Sequence, residues 1–311
     1  MVFFITFIAV LVLLLTAVPG FIAIKKKMVS EDCIPGFSKI MVYFCQPCLA
    51  VYTFKSATCS PDKLADLGIF ELLKMLIHAV MLLGSWLVLR KKYKQAIYRI
   101  ITIATACANC AFFGIPIIEA LMGERAEELI VYTTVYAVVM NVVCWTIGSA
   151  IISGDTKYIS PKKIFLNPAM IGGVIAFVIF FFSIPIQEDF FSMITIVGKM
   201  CSPLSMIIMG MRLATMDLKK MFTDVRIYLA RAVKGFVMPL VAFAIAYFLP
   251  ISSDIKVAFF IIAACPVASV VLNFSEILGE GQKEAANLVL FGTMLSIVTL
   301  PIMMLMLPLI A

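Results

Sequence analysis

The sequence is poor in what a water-soluble surface needs. Only 14% of its 311 residues are charged, against about 25% in a typical soluble domain. It has one histidine, His78, and two tryptophans. With so few charges, solvated side chains cannot cover a folded core, so lipid must take the place of water around most of the chain. The missing motifs exclude as much as the missing charge does. There is no G-x4-G-K-[ST] loop for ATP-driven pumping, and no H-E-x-x-H pair for metal-assisted hydrolysis. No stretch is left over for a soluble catalytic or regulatory domain, and none for the output domain a membrane sensor would need.

What is present is apolar. The hydrophobic fraction is 63% and the mean hydropathy is +1.09. A helix needs roughly 20 apolar residues to cross the bilayer core. Ten segments meet or approach that length: 2–24, 34–56, 69–90, 97–121, 127–152, 168–186, 190–213, 225–249, 255–278 and 284–308. The expected fold class is all-α, with ten transmembrane helices. The first run carries Lys25, Lys26 and Lys27 after it rather than before it. It therefore reads as a first helix and not as a signal peptide.

The net charge of +7 does not point to nucleic acid, because the basic residues lie in short blocks between the spans. Fifteen fall after odd-numbered spans and four after even-numbered ones. The positive-inside rule then puts the odd loops in the cytoplasm and both termini outside a cell membrane, with anionic lipid as a partner. Of nine cysteines, Cys45/Cys48 and Cys107/Cys110 are spaced C-x-x-C. No second pair stands at ligand spacing, and the thiols read as small apolar filler.

The chain repeats with an offset of 156. Cys45-Gln46-Pro47 matches Cys201-Ser202-Pro203, and Leu121-Met122-Gly123-Glu124 matches Ile277-Leu278-Gly279-Glu280. Each half holds five spans, an odd number, so the second half enters the membrane from the opposite side. The expected plan is a 5+5 inverted repeat, with 1–152 as the first half, 153–167 as a cytoplasmic linker and 168–311 as the second half. Such repeats give a secondary carrier its inward- and outward-facing states.

Proline in a helix interior removes a hydrogen bond and crowds the preceding turn. Span 4 reads Asn109-Cys110-Ala111-Phe112-Phe113-Gly114-Ile115-Pro116, and span 9 reads Cys265-Pro266-Val267-Ala268-Ser269. Breaks are expected at Gly114 and Pro116 and at Pro266. Broken helices in a membrane are tolerated where they line a cavity, and their free N–H ends suit a carboxylate. The candidate binding residues are Asn109, Gly114 and Pro116 in one half and Cys265, Pro266 and Ser269 in the other.

Ionisable residues inside spans are the other candidates. Glu71, Lys74 and His78 are spaced i, i+3 and i+7, on one helix face. They read as a coupling or gating cluster, or as a simple Glu71–Lys74 pair near the membrane edge. Glu119 lies one turn after Pro116 and is expected near the break. Lys199, Arg231 and Lys234 could steer an anion but are expected to snorkel outward; Tyr132 and Tyr136 could line the cavity but are expected to pack. No cofactor is expected. A coupling ion, if used, is H+ or Na+. Ser269, Asn273, Ser275, Thr293, Ser296 and Thr299 supply the oxygens a sodium site would draw on.

The N-x4-G-x-P core at Asn109 to Pro116, Gly123-Glu124, Asn141-x3-Trp145-x2-Gly148, Gln46-Pro47, Asn167-Pro168 and the stretch from Ala263-Ala264-Cys265-Pro266 to Thr299-Leu300-Pro301 together resemble the auxin efflux carrier family. That family includes prokaryotic permeases and the plant PIN proteins. The resemblance implies the ten-helix inverted repeat shared with bile-acid/sodium symporters, with spans 4 and 9 crossing as broken helices. It implies a moving domain of spans 3–5 and 8–10 on a scaffold of spans 1, 2, 6 and 7, often a homodimer. It implies elevator motion and an organic anion substrate such as auxin, malate or malonate. Asn109 matches the asparagine at the substrate carboxylate, and Pro116 and Pro266 match the crossover prolines. The short 153–167 loop lacks the long regulatory loop of many plant members and resembles the prokaryotic permease type, and the sequence departs from the family in Cys265 at the position matching Asn109. A sodium-coupled symporter and a carrier of a neutral metabolite stay open as alternatives, as does, more remotely, a transporter-like sensor.

Overall fold

The computed structural model describes residues 1–55, 59–155, 157, 168–216 and 224–310. Among these residues, all regular structure is helical. The one β-type pairing is an isolated antiparallel bridge between Ala108 and Val267. Seven helical runs are long and apolar enough to cross a membrane: Val2–Lys25, Glu31–Lys55, Pro61–Lys92, Cys110–Val143, Glu188–Thr215, Val225–Phe248 and Gln282–Leu309. Ala96–Ala106 and Met170–Phe181 are shorter apolar helices. Much of the 153–167 linker, with Lys162 and Lys163, lies outside the described residues, as do Lys219 and Lys220.

In chain order the helices are α1 (Val2–Lys25), α2 (Glu31–Lys55), α3 (Pro61–Leu89), α4 (Ala96–Ala106), α5 (Ile115–Met122), α6 (Ala126–Val143), α7 (Pro168–Phe181), α8 (Glu188–Thr215), α9 (Val225–Phe248), α10 (Ser253–Ala264), α11 (Val270–Leu278) and α12 (Gln282–Met304). Their ends follow local chemistry. Ser60 accepts from the Lys63 N–H ahead of Pro61, and Ser252 caps Ile255, as serine does at helix starts. Between α5 and α6 the chain turns at Gly123, φ +55°, a conformation costly for any residue with a Cβ. α11 ends at left-handed Gly279.

Several prolines lie inside helical runs without breaking them. Three of them follow a turn widened to i→i+5 bonding: Met41–Cys45 before Pro47, Cys110–Gly114 before Pro116 and Val233–Val237 before Pro239. Widening moves the clashing carbonyl away from the ring and skips the missing donor.

Glycine sets which helices press together. A Cβ on Gly20 or Gly210 would strike the backbones of Ile207 and Ala17 respectively, so α1 and α8 touch main chain to main chain. Gly172 and Gly198 also sit close against α2, at Pro47 and Leu49. In lipid, such small-residue contacts carry helix association. Polar ties join a different set. Lys63 pairs with Glu128 at 2.9 Å, linking α3 to α6. Arg125 pairs with Asp254 at 2.8 Å and Ser252 donates to Asp66 at 2.7 Å, tying the start of α10 to the α5–α6 turn and to α3. Arg99 of α4 pairs with Glu280 beyond α11 at 2.7 Å.

Candidate functional site

α4 stops at Ala106, and Cys107 takes an extended conformation. α10 stops at Ala264, where Cys265 is extended ahead of Pro266, because the proline ring disfavours helical geometry in the residue before it. The two loose ends then pair. The Asn109 N–H donates to the Pro266 carbonyl at 2.8 Å, and the Ala268 N–H donates to the Cys107 carbonyl at 3.2 Å. Asn109 itself is the centre of a tight turn, with φ −76° and ψ 65°, closed by the Cys110 N–H on the Ala108 carbonyl at 2.8 Å. Two interrupted helices thus satisfy each other's backbone where no water is at hand.

The break in the first half therefore lies at Cys107–Asn109 and not at Gly114 and Pro116, where the sequence suggests it. The wide turn before Pro116 keeps that helix continuous. The carbonyl that an N–H at position 116 would normally serve belongs to Phe112. It accepts instead from the Ser202 hydroxyl of α8 at 2.6 Å. Gly114 has a different use: a Cβ there would sit 3.2 Å from the Cys265 sulfur, so its small size lets the two breaks approach. In the second half, Pro266 is part of the break, as expected.

The side chains around the breaks are buried and short of partners. Asn109 is 3% exposed, and its Nδ2 has no partner. Ser269, at the start of α11, has a buried, unpartnered hydroxyl oxygen. It lines an open cavity with Ser38 and Met41 of α2, Ser205 and Arg212 of α8, and Asn273. The Cys265 thiol donates to the Ile261 carbonyl.

Three cations surround this point. Lys74 is fully buried, with its ammonium 4.5 Å from the Tyr136 ring centre and 5.1 Å from that of Phe259. Among the described residues it makes no ion pair with Glu71, whose carboxylate oxygens are also buried and unpartnered. The simple edge pair is thus absent. His78 shares Tyr136 with Lys74 through an Nδ1 contact of 3.3 Å to the phenol oxygen, and its Nε2 is free. Lys234 and Arg231, expected to snorkel outward, are instead 0% and 2% exposed. Lys234 donates to the Ala263 and Cys265 carbonyls. Arg231 donates to Thr299 at 3.2 Å, while its Nε and Nη1 find no partner. They point inward because α9 packs this face against α12 and the α10 break.

Glu119 belongs elsewhere. It lies on the exposed side of α5 opposite Ile115, Ile117 and Ile118, within reach of the Lys199 charge. Lys199 itself lies over the Tyr52 ring. The C-x-x-C cysteines turn to partners outside their own pairs. Cys107 meets Cys144 at 3.6 Å, and Cys45 meets Cys201. The sequence held one unused pointer to Lys234: it stands 156 residues after His78, the same offset that relates Cys45 to Cys201.

A sequence profile of the membrane transport protein family matches residues 5–304. No curated protein matches the chain. The profile spans nearly the whole chain, and with the apolar helices it identifies an integral, multi-pass membrane transporter. The chain belongs to the membrane transport protein family, the auxin efflux carrier group that its motifs resemble.

Proposed function

We propose that this protein is a secondary carrier of a small organic anion, a carboxylate, bound at the paired helix breaks. The observation that carries the reading is the set of buried cations. Lys74, Arg231 and Lys234 are all sequestered there, with no ion pair to a carboxylate among the described residues. Buried unpaired charge costs several kcal/mol per ion, and a bound anion would offset part of that cost. Asn109 Nδ2 offers a free donor to the same guest.

The frame proposed for it is the ten-span, 5+5 inverted repeat, with both termini outside a cell membrane. Contact between Cys45 and Cys201 supports it. Residues equivalent under a two-fold operation touch each other only near its axis. The mechanism proposed is elevator-like, with α3–α6 and α9–α12 moving against α1, α2, α7 and α8. The ion pairs described above all lie within the first set, and the main-chain contacts of Gly20, Gly210, Gly172 and Gly198 lie within the second, while Ser202 of the second set donates to the Phe112 carbonyl of the first. Thr53 of α2 and Thr134 of α6 meet across the two sets at 2.9 Å. Cysteines at both positions, once oxidised, are expected to arrest transport until reductant is added. Undiminished flux in the cross-linked protein would contradict relative motion at this contact.

The experiment that tests the function is uptake of radiolabelled mono- and dicarboxylates into liposomes by wild type and Asn109→Ala. A hydrogen bond to a charged group contributes about 1.5–3 kcal/mol, so apparent affinity should fall roughly 10- to 150-fold in the variant. No saturable carboxylate uptake, or uptake that Asn109→Ala leaves unchanged, would reject the site.

A further inference from the structure

Lys234 lies in the widened turn Val233–Val237 of α9 and has no exposed surface. Its ammonium donates to the carbonyl oxygens of Ala263 at 2.9 Å and Cys265 at 2.7 Å. These carbonyls are left over where α10 stops, and a helix C-terminus carries partial negative charge. In carriers with interrupted helices, such carbonyl ends are where a coupling sodium ion or proton is held.

We propose that Lys234 is a tethered cation standing in for a coupling metal ion at the carbonyl end of α10, so that this site takes no sodium. The hard-cation position is filled by a charge the chain carries covalently.

The surroundings support this assignment independently of the bonds. Among the described residues, the charged and titratable groups that act most strongly on Lys234 are Arg231 from its own helix, Lys74 from α3, Cys107 from the end of α4 and Cys265 from the end of α10. They comprise two cations and two thiols, with no carboxylate among them. Carbonyl oxygens draw a hard cation, and with the Lys234 ammonium already on them a sodium ion beside it would add a further charge to the cluster. Thr299, a hydroxyl that a metal could recruit, accepts from Arg231 instead. The widened turn matters too, because it places Lys234 one turn before Pro239 where the helix path is already distorted.

The test needs no knowledge of the substrate, so its failure is separable from failure of the anion-carrier reading. Purified protein is melted in sodium chloride and in choline chloride at equal ionic strength, and saturable binding of radioactive sodium is measured. Wild type should melt at the same temperature in both salts and bind no saturable sodium. Lys234→Arg, which keeps a cation, should be equally insensitive to the choice of salt. Lys234→Ala should melt several degrees lower in choline chloride, recover part of that loss in sodium chloride, and bind sodium saturably. Saturable sodium binding by wild type, with a matching rise in melting temperature, would overturn the proposal. A Lys234→Ala loss that sodium does not relieve would overturn it as well. If Lys234→Ala does not fold, wild type and Lys234→Arg decide the matter by their sodium binding alone.

Discussion

At the scale of single residues, Lys74 shows what the site trades. Its ammonium is buried against Tyr136 and Phe259 and makes no hydrogen bond. Cation–π contact returns about 2 kcal/mol or more when desolvated, less than the several kcal/mol that burying an ion costs. Lys74→Met keeps the length of the side chain and removes the charge. It should melt no lower than wild type while saturable carboxylate uptake falls at least tenfold. A variant that transports normally would mean that Lys74 serves structure alone. Asn109 was legible in the sequence because a polar residue stands out in an apolar span. Arg231 and Lys234 were misplaced for the opposite reason. A span that is apolar on nearly every side gives no stripe from which to read which face turns inward, and only the packing of α9 settles it.

At the scale of elements, proline was the strongest signal and the more misleading one. The sequence shows where the N–H is missing, but not whether a widened turn absorbs the loss. At Pro266 the helix ends; at Pro116 it continues, because the Cys110–Gly114 turn widens and Ser202 satisfies the Phe112 carbonyl. That arrangement predicts a coupling. Ser202→Ala alone orphans a buried carbonyl and should cost about 1–3 kcal/mol. In a Pro116→Ala background the new N–H can serve Phe112, and the same substitution should cost much less. Denaturation of the four proteins of the double-mutant cycle measures the difference. Equal costs in both backgrounds would show that Ser202 does not replace the proline's missing donor. The turn at Gly123 and the helix end at Gly279 were plain from the sequence, since glycine, with a charged residue directly after it, marks the close of an apolar run.

At the scale of the whole molecule, composition alone required lipid, and most apolar runs end within a few residues of a helix end, although α3 starts at Pro61 rather than near 69 and the runs 97–121 and 255–278 each hold two helices. The sequence could not give the pairing of the two breaks, because the Asn109–Pro266 bond joins residues far apart in the chain through backbone atoms that no side-chain pattern encodes. The buried cations take on meaning only once that pairing brings α3, α9 and α10 together. The central claim is that this positive, enclosed site carries an anion through the membrane. The most direct measurement is the current across a protein-loaded liposome membrane when a small carboxylate is applied, compared with the current from its neutral amide. The account predicts a saturable current of negative charge moving with the carboxylate and none with the amide. Equal transport of the amide, or no carboxylate current from protein shown to be folded, would contradict it.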